Sequence, residues 1–150
     1  MVEDLIPLDE IRMDLMKHQG KIFLVIVDRA MGYSWCKPLS KTMSSKEVAA
    51  ITRKIFLKVG IPYRVRVDGG PEFRGPFKEM LEEFKIPYTP SSPYNSPSNG
   101  LAERHVGITK LLLKKSIDNK TDFQESLSHL NNSARQDVYS PAEPFFRRWP

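Results

Sequence analysis

Polar and apolar residues alternate loosely from Glu10 to His18 (EIRMDLMKH), the chain turns almost wholly apolar from Lys21 to Asp28 (KIFLVIVD), and aromatics dominate from Tyr33 to Leu39 (YSWCKPL). Alternation with period two marks a strand with one buried face, and a short apolar run marks a strand buried on both. The joins between these segments are short and contain glycine, so the three together predict an antiparallel meander. Ser44-Ser45-Lys46-Glu47 has the form of a capping box, in which the Ser hydroxyl accepts from the Glu amide and the Glu carboxylate reaches back to the Ser amide. Val48, Ile51, Ile55 and Val59 then recur at helical spacing up to Gly60, which predicts a helix over 45–59. Tyr63 to Val67 alternates again and stops at Asp68-Gly69-Gly70; Phe77, Met80, Leu81 and Phe84 mark one face of a second helix, and Ile86 to Thr89 fits a fifth short strand.

The stretch 90–100 (PSSPYNSPSNG) is a loop by composition. Leu101 to Ile117 reads as a helix, and Thr121 with Gln124 opens another that carries Phe123, Leu127, Leu130 and Ala134. Ser140 to Glu143 predicts one last brief turn, distorted by Pro144, which has no amide hydrogen to donate. The order β-β-β-α-β-α-β-α-α describes an α/β domain with a mixed sheet. The helix over 45–59 is long enough to cross the sheet, so the fourth strand is expected to run parallel to the first, with Asp14 and Asp68 side by side.

With 150 residues, 40% of them hydrophobic, the chain matches one core, read as a lead segment over 1–8 and a domain over 9–150. Its single cysteine, Cys36, cannot form an internal bridge, which fits a reducing compartment. The longest apolar run is far too short to span a membrane and the first residues are acidic, so neither secretion nor membrane insertion is expected. A net charge of +5 leans toward a polyanionic partner but equally describes an ordinary basic surface.

Three acids are candidates for chemistry. Asp14 lies in the first strand between Met13 and Leu15, which point to the other face; alone, such an acid reads as the wet side of a strand. Asp68 ends an alternating strand before two glycines, where open α/β sheets present functional groups, and where turn-forming aspartates also occur. On a helical projection Glu103, Gly107, Lys110 and Lys114 share a narrow arc, opposite a broad arc of Leu101, Ala102, His105, Val106, Ile108, Thr109, Leu112 and Leu113. That charged arc reads either as a solvated face or as an acid at a metal with lysines on phosphates. His105 falls in the apolar arc and is expected in the core. Asp28 and Glu72 lie near the same region and read equally as residues that terminate elements.

The segments MDLMKHQGKIFLVIVDRAMGY (13–33), VDGGPEF (67–73) and SSPYNSPSNGLAERHVGITKLL (91–112), in that order, resemble the catalytic core of retroviral and gypsy-type retrotransposon integrases, and SPAEPFFRR (140–148) resembles the end of the gypsy-type core. Two departures stand out: the interval from Asp68 to Glu103 is one residue shorter than is usual in retroviral members, and Pro144 replaces an apolar residue. One cysteine and three histidines cannot supply the His/His/Cys/Cys module that flanks the core in family members. The resemblance implies a ribonuclease-H-like fold with a mixed five-stranded sheet and a DDE triad at Asp14, Asp68 and Glu103. It also implies a DNA partner contacted by Tyr94, Asn95, Asn99, Lys110 and Lys114, a homodimer of cores within a larger oligomer, and a nuclear substrate.

Three converging carboxylates repel by roughly 4 kcal/mol per pair about 4 Å apart at an effective dielectric near 20, so such a cluster needs a cation. All-oxygen donors select hard ions, so Mg²⁺ or Mn²⁺ is expected, and the resemblance implies two such ions. The activity implied is metal-dependent trimming of DNA 3′ ends and their transfer into target DNA. A hydrolytic nuclease of the same fold, or a domesticated module that binds DNA or protein, are the alternatives; the second is disfavoured because no triad acid is lost.

Overall fold

The computed structural model describes residues 6–90 and 97–132. A mixed sheet of five strands forms in the order β3-β2-β1-β4-β5. Its strands are β1 (Glu10–His18), β2 (Lys21–Asp28), β3 (Ser34–Leu39), β4 (Arg64–Val67) and β5 (Tyr88–Pro90). The first three pair antiparallel as the short Gly-containing joins require. Helix α1 (Ser45–Val59) carries the chain across the sheet, so β4 runs parallel to β1 and β5 parallel to β4. A 3₁₀ turn (Pro71–Phe73) and α2 (Pro76–Glu83) follow β4, then α3 (Pro97–Asp118) and α4 (Phe123–Asn132).

Alternation along the strands divides the interior into two cores. Ile11, Met13, Leu24, Ile26, Val65 and Val67 face one side and pack with Val48, Ile55 and Phe56 of α1 and Phe77, Met80 and Leu81 of α2. Met16, Phe23, Val25 and Val27 face the other side and pack with Val106 and Leu113 of α3 and Leu127 of α4. Strand β2 is therefore apolar on both faces, the reason its sequence does not alternate. On β1 the second face bears Glu10, Arg12 and Asp14 before it turns apolar at Met16. Those three polar positions open one side of the α3 core to charge.

The helix starts differ from expectation in three places. Helix α3 begins at Pro97, so 97–100 is helix and not loop; Pro is accepted in a first turn because its missing N–H has no intrahelical acceptor there. Helix α4 is capped by Asp122, whose Oδ1 accepts from Gln124 N at 2.9 Å, while Thr121 turns back to Ser116. Only half of the capping box on α1 forms: Ser44 Oγ accepts from Glu47 N at 3.1 Å, but the Glu47 carboxylate accepts from Ser40 N and Oγ instead of Ser44 N. The turn expected over 140–143 and Ala134 lie outside the described residues. Among the described residues no helix is long and apolar enough to cross a membrane.

Candidate functional site

The parallel pairing of β1 and β4 matches Glu10 with Arg64 and Arg12 with Arg66. Continued two residues beyond the last pair, that register would bring Asp14 level with Asp68, on one face of adjacent strands. The ladder has ended by then: Asp68 lies just past β4, exposed, and its Oδ1 accepts from Gly70 N at 3.0 Å. This Asx turn holds the carboxylate at the carboxyl end of the sheet, while Arg74 Nη2 donates to Gly69 O at 2.6 Å and closes the loop. The Glu72 carboxylate lies over Gly70 so closely that a Cβ there would fall 2.2 Å from its Oε1.

Helix α3 crosses this face. Its buried side, Ala102, His105, Val106, Thr109, Leu113 and Ser116, seats it on the sheet, and the expectation that His105 belongs to the core holds. Thr109 Oγ1 is 2.7 Å from Ser34 Oγ, which ties the helix to β3. Ile108, expected on the buried arc, is 37% exposed, and its neighbour Leu111 is 53% exposed. The apolar arc of α3 is wider than the surface the sheet and α4 cover.

Across this crossing the strand and the helix exchange charges. Lys110 Nζ lies 2.7 Å from Asp14 Oδ2. Arg12 Nη2 lies 3.8 Å from Glu103 Oε1. Behind them the nearly buried Glu10 carboxylate stands 3.5 Å from Arg29 Nε and 3.6 Å from Arg66 Nε, and Arg29 Nη2 reaches Asp9 at 3.7 Å. Acids and arginines thus alternate along the strands, which compensates charges that burial would otherwise penalise. Asp28 is fully buried and its carboxylate accepts from Leu8 N and Ala30 N; it ends β2 and takes no part in the site.

Of the candidate residues, Asp14 and Glu103 are brought to one crossing, on Lys110 and Arg12, while Asp68 sits just past the end of β4. The three carboxylates do not converge as one group: among the described residues no set of three His, Cys, Asp or Glu side chains is close enough to hold a metal ion. Lys110 is not on the solvated arc with Lys114. It is drawn onto the central strand β1 by Asp14, whereas Lys114 is exposed. Asn99 lies in the first turn of α3 and not in a loop. Tyr94 and Asn95 fall outside the described residues. Arg12 was not singled out from the sequence, although its place two residues before Asp14, on the same strand face, is the signal that finds it.

By kind, the candidate acids are oxygen donors that suit a hard divalent cation, and two of them already receive a cation of the chain, Asp14 the Lys110 ammonium and Glu103 the Arg12 guanidinium.

The family model described as integrase core domain matches residues 6–96. The chain is 36% identical over 81 residues to the Gag-Pro-Pol polyprotein of Human T-cell leukemia virus 2, across 53% of this chain and 5% of the polyprotein. It is 28% identical over 123 residues to the Pro-Pol polyprotein of Simian foamy virus type 1, across 81% of this chain and 10% of that one. The chain therefore spans a tenth or less of these curated relatives. Among solved structures, the catalytic core domain of BIV integrase superposes with a TM-score of 0.76 at 20% identity, covering 93% of this chain and 95% of that chain. A chain of the simian T-cell lymphotropic virus intasome, solved with PP2A regulatory subunit B56 gamma, superposes with a TM-score of 0.75 at 23% identity, covering 100% of this chain and 59% of its own. The shared fold is the ribonuclease-H-like one expected from the three motifs.

Proposed function

Because the chain belongs to the integrase core domain family, we propose that it is the catalytic core of a retroelement integrase that trims DNA 3′ ends and joins them to target DNA, acting on chromosomal DNA in the nucleus. The observation that carries this reading is the parallel pairing of β1 and β4, with Arg12 opposite Arg66 two residues short of Asp14 and Asp68, on a face that α3 meets through Glu103 and Lys110. In this reading Asp14, Asp68 and Glu103 hold two Mg²⁺ or Mn²⁺. When bound, such a pair activates the attacking oxygen and stabilises the leaving oxygen of an in-line phosphodiester displacement.

The chain's own residues do the rest. Asp68 is held by its turn with one oxygen on Gly70 N, so the other is aimed outward without a rotamer search. Glu103 reaches the site from a helix whose register cannot slip: displacing it by one residue would swing its side chain about 100° away. Lys114, with Lys110 when it is free of Asp14, supplies positive charge for phosphates along α3, and Asn99 in the first turn, with Tyr94 and Asn95, contacts the DNA end. The resemblance of the fold to an intasome subunit supports DNA as partner and cores paired within a larger oligomer.

The test is strand joining, or its reversal on branched DNA, with Mg²⁺ or Mn²⁺. Asp68→Asn should abolish the reaction while leaving the circular dichroism and melting of the domain unchanged, because Asp68 is exposed and an Asn side chain can still accept from Gly70 N. Equal activity in native and Asp68→Asn protein would eliminate the assignment.

A further inference from the structure

Both oxygens of Asp14 are engaged. Oδ1 accepts from Leu15 N at 2.8 Å, and Oδ2 receives the Lys110 ammonium at 2.7 Å. The pair joins residues 96 apart in the chain, from the middle of β1 to the middle of α3, and each side chain is 28% exposed. At that depth water screens the pair only in part, yet ions from solution can still reach it. The second pair of the crossing has the opposite polarity, with Arg12 on the strand and Glu103 on the helix. Strand and helix therefore each contribute one acid and one cation to this crossing, and two of the three acids proposed to hold metal, Asp14 and Glu103, are each matched by a cation of the chain.

We propose that Lys110 is an exchangeable counterion of Asp14: a divalent cation that takes Oδ2 displaces the Lys110 ammonium, and the displaced ammonium becomes free to meet a DNA phosphate. The inference rests on the metal-binding reading above and deepens it. Lys110 is a positioning residue here, holding the metal-free carboxylate in place, and metal loading and phosphate contact become two ends of one exchange. A bound ammonium and a divalent ion on Oδ2 repel at contact distance, so each weakens the other's hold on that oxygen. The two cations compete, so removing one must strengthen the other.

Calorimetric titration of the intact chain with Mn²⁺, alongside its melting without metal, tests this. Lys110→Met, which keeps the apolar stem and deletes the charge, should bind Mn²⁺ about fivefold more tightly than the native protein, the factor expected when one partly exposed ion pair no longer has to be broken. Lys110→Arg should return the affinity toward the native value, and without metal Lys110→Met should melt below the native protein. A merely structural lysine would loosen metal binding when removed, not tighten it. If Lys110→Met does not fold, Lys110→Gln serves, with the same expected direction. Equal or weaker Mn²⁺ affinity in the charge-deleted variant overturns the exchange while leaving the metal reading intact, provided that Asp14→Asn still weakens binding. Absence of Mn²⁺ binding in both proteins, or binding that Asp14→Asn does not affect, overturns both.

Discussion

Asn131 on α4 is nearly buried, and it treats β3 as a neighbouring strand would: its Oδ1 accepts from Ser34 N at 2.9 Å and its Nδ2 donates to Ser34 O at 3.0 Å. Asn131→Ala removes both partners at once and orphans a buried amide and a buried carbonyl of a residue that is 1% exposed. Leaving a buried polar group unsatisfied costs about 1–3 kcal/mol, so a loss of about 2–4 kcal/mol is expected after partial relaxation. For a domain of this size each kcal/mol lowers Tm by about 2–4 °C, which gives a fall of about 4–16 °C. Asn131→Asp sharpens the test: its carboxylate can still accept from Ser34 N but would face the Ser34 carbonyl without a hydrogen to offer, so it should be at least as destabilising as alanine. Because Ser34 Oγ also meets Thr109 Oγ1, one residue from Lys110, the loss should be non-additive with Thr109→Val. Urea and thermal unfolding followed by circular dichroism provide the numbers. A loss below about 0.5 kcal/mol, the range of an ordinary surface change, or a tolerated Asn131→Asp, would refute the view that this side chain is the hydrogen-bonding mate of β3.

Burial pushes the Cys36 thiol up from its ordinary 9.0 to about 12, with Lys37 opposing the shift in part. Its folded value is raised, so its contribution to stability is complete below pH 9 and lost as the pH climbs toward 12; Cys36→Ala should flatten the alkaline decline by at most roughly 1.4 kcal/mol per pH unit, and folded protein at pH 8 should resist thiol alkylation. Identical alkaline unfolding curves for both proteins would contradict this. Lys114→Ala, on the exposed face of α3, should weaken DNA binding evenly across sequences and lower the salt slope by about 1, and an unchanged slope would return Lys114 to an ordinary solvated position.

Much of the architecture was legible along the chain because it rests on local chemistry. The alternation in β1, the doubly buried run of β2, the helical spacing in α1 and the placement of His105 follow from periodicities of two and 3.6, which act between residues a few positions apart. Even the parallel course of β1 and β4 follows from the length of the crossover helix. The exact helix starts escaped for a local reason too: several side chains near each start could cap it, and only the packed chain chose Asp122 over Thr121 and sent the Glu47 carboxylate to Ser40. What no pattern contains is the angle at which α3 crosses β1. Side-chain periodicity names the faces that meet but not which charge lands opposite which. Only the packing of Val106, Thr109 and Leu113 onto the sheet placed Lys110 on Asp14 and Arg12 beside Glu103, pairings between residues about ninety positions apart or more that short-range rules cannot reach.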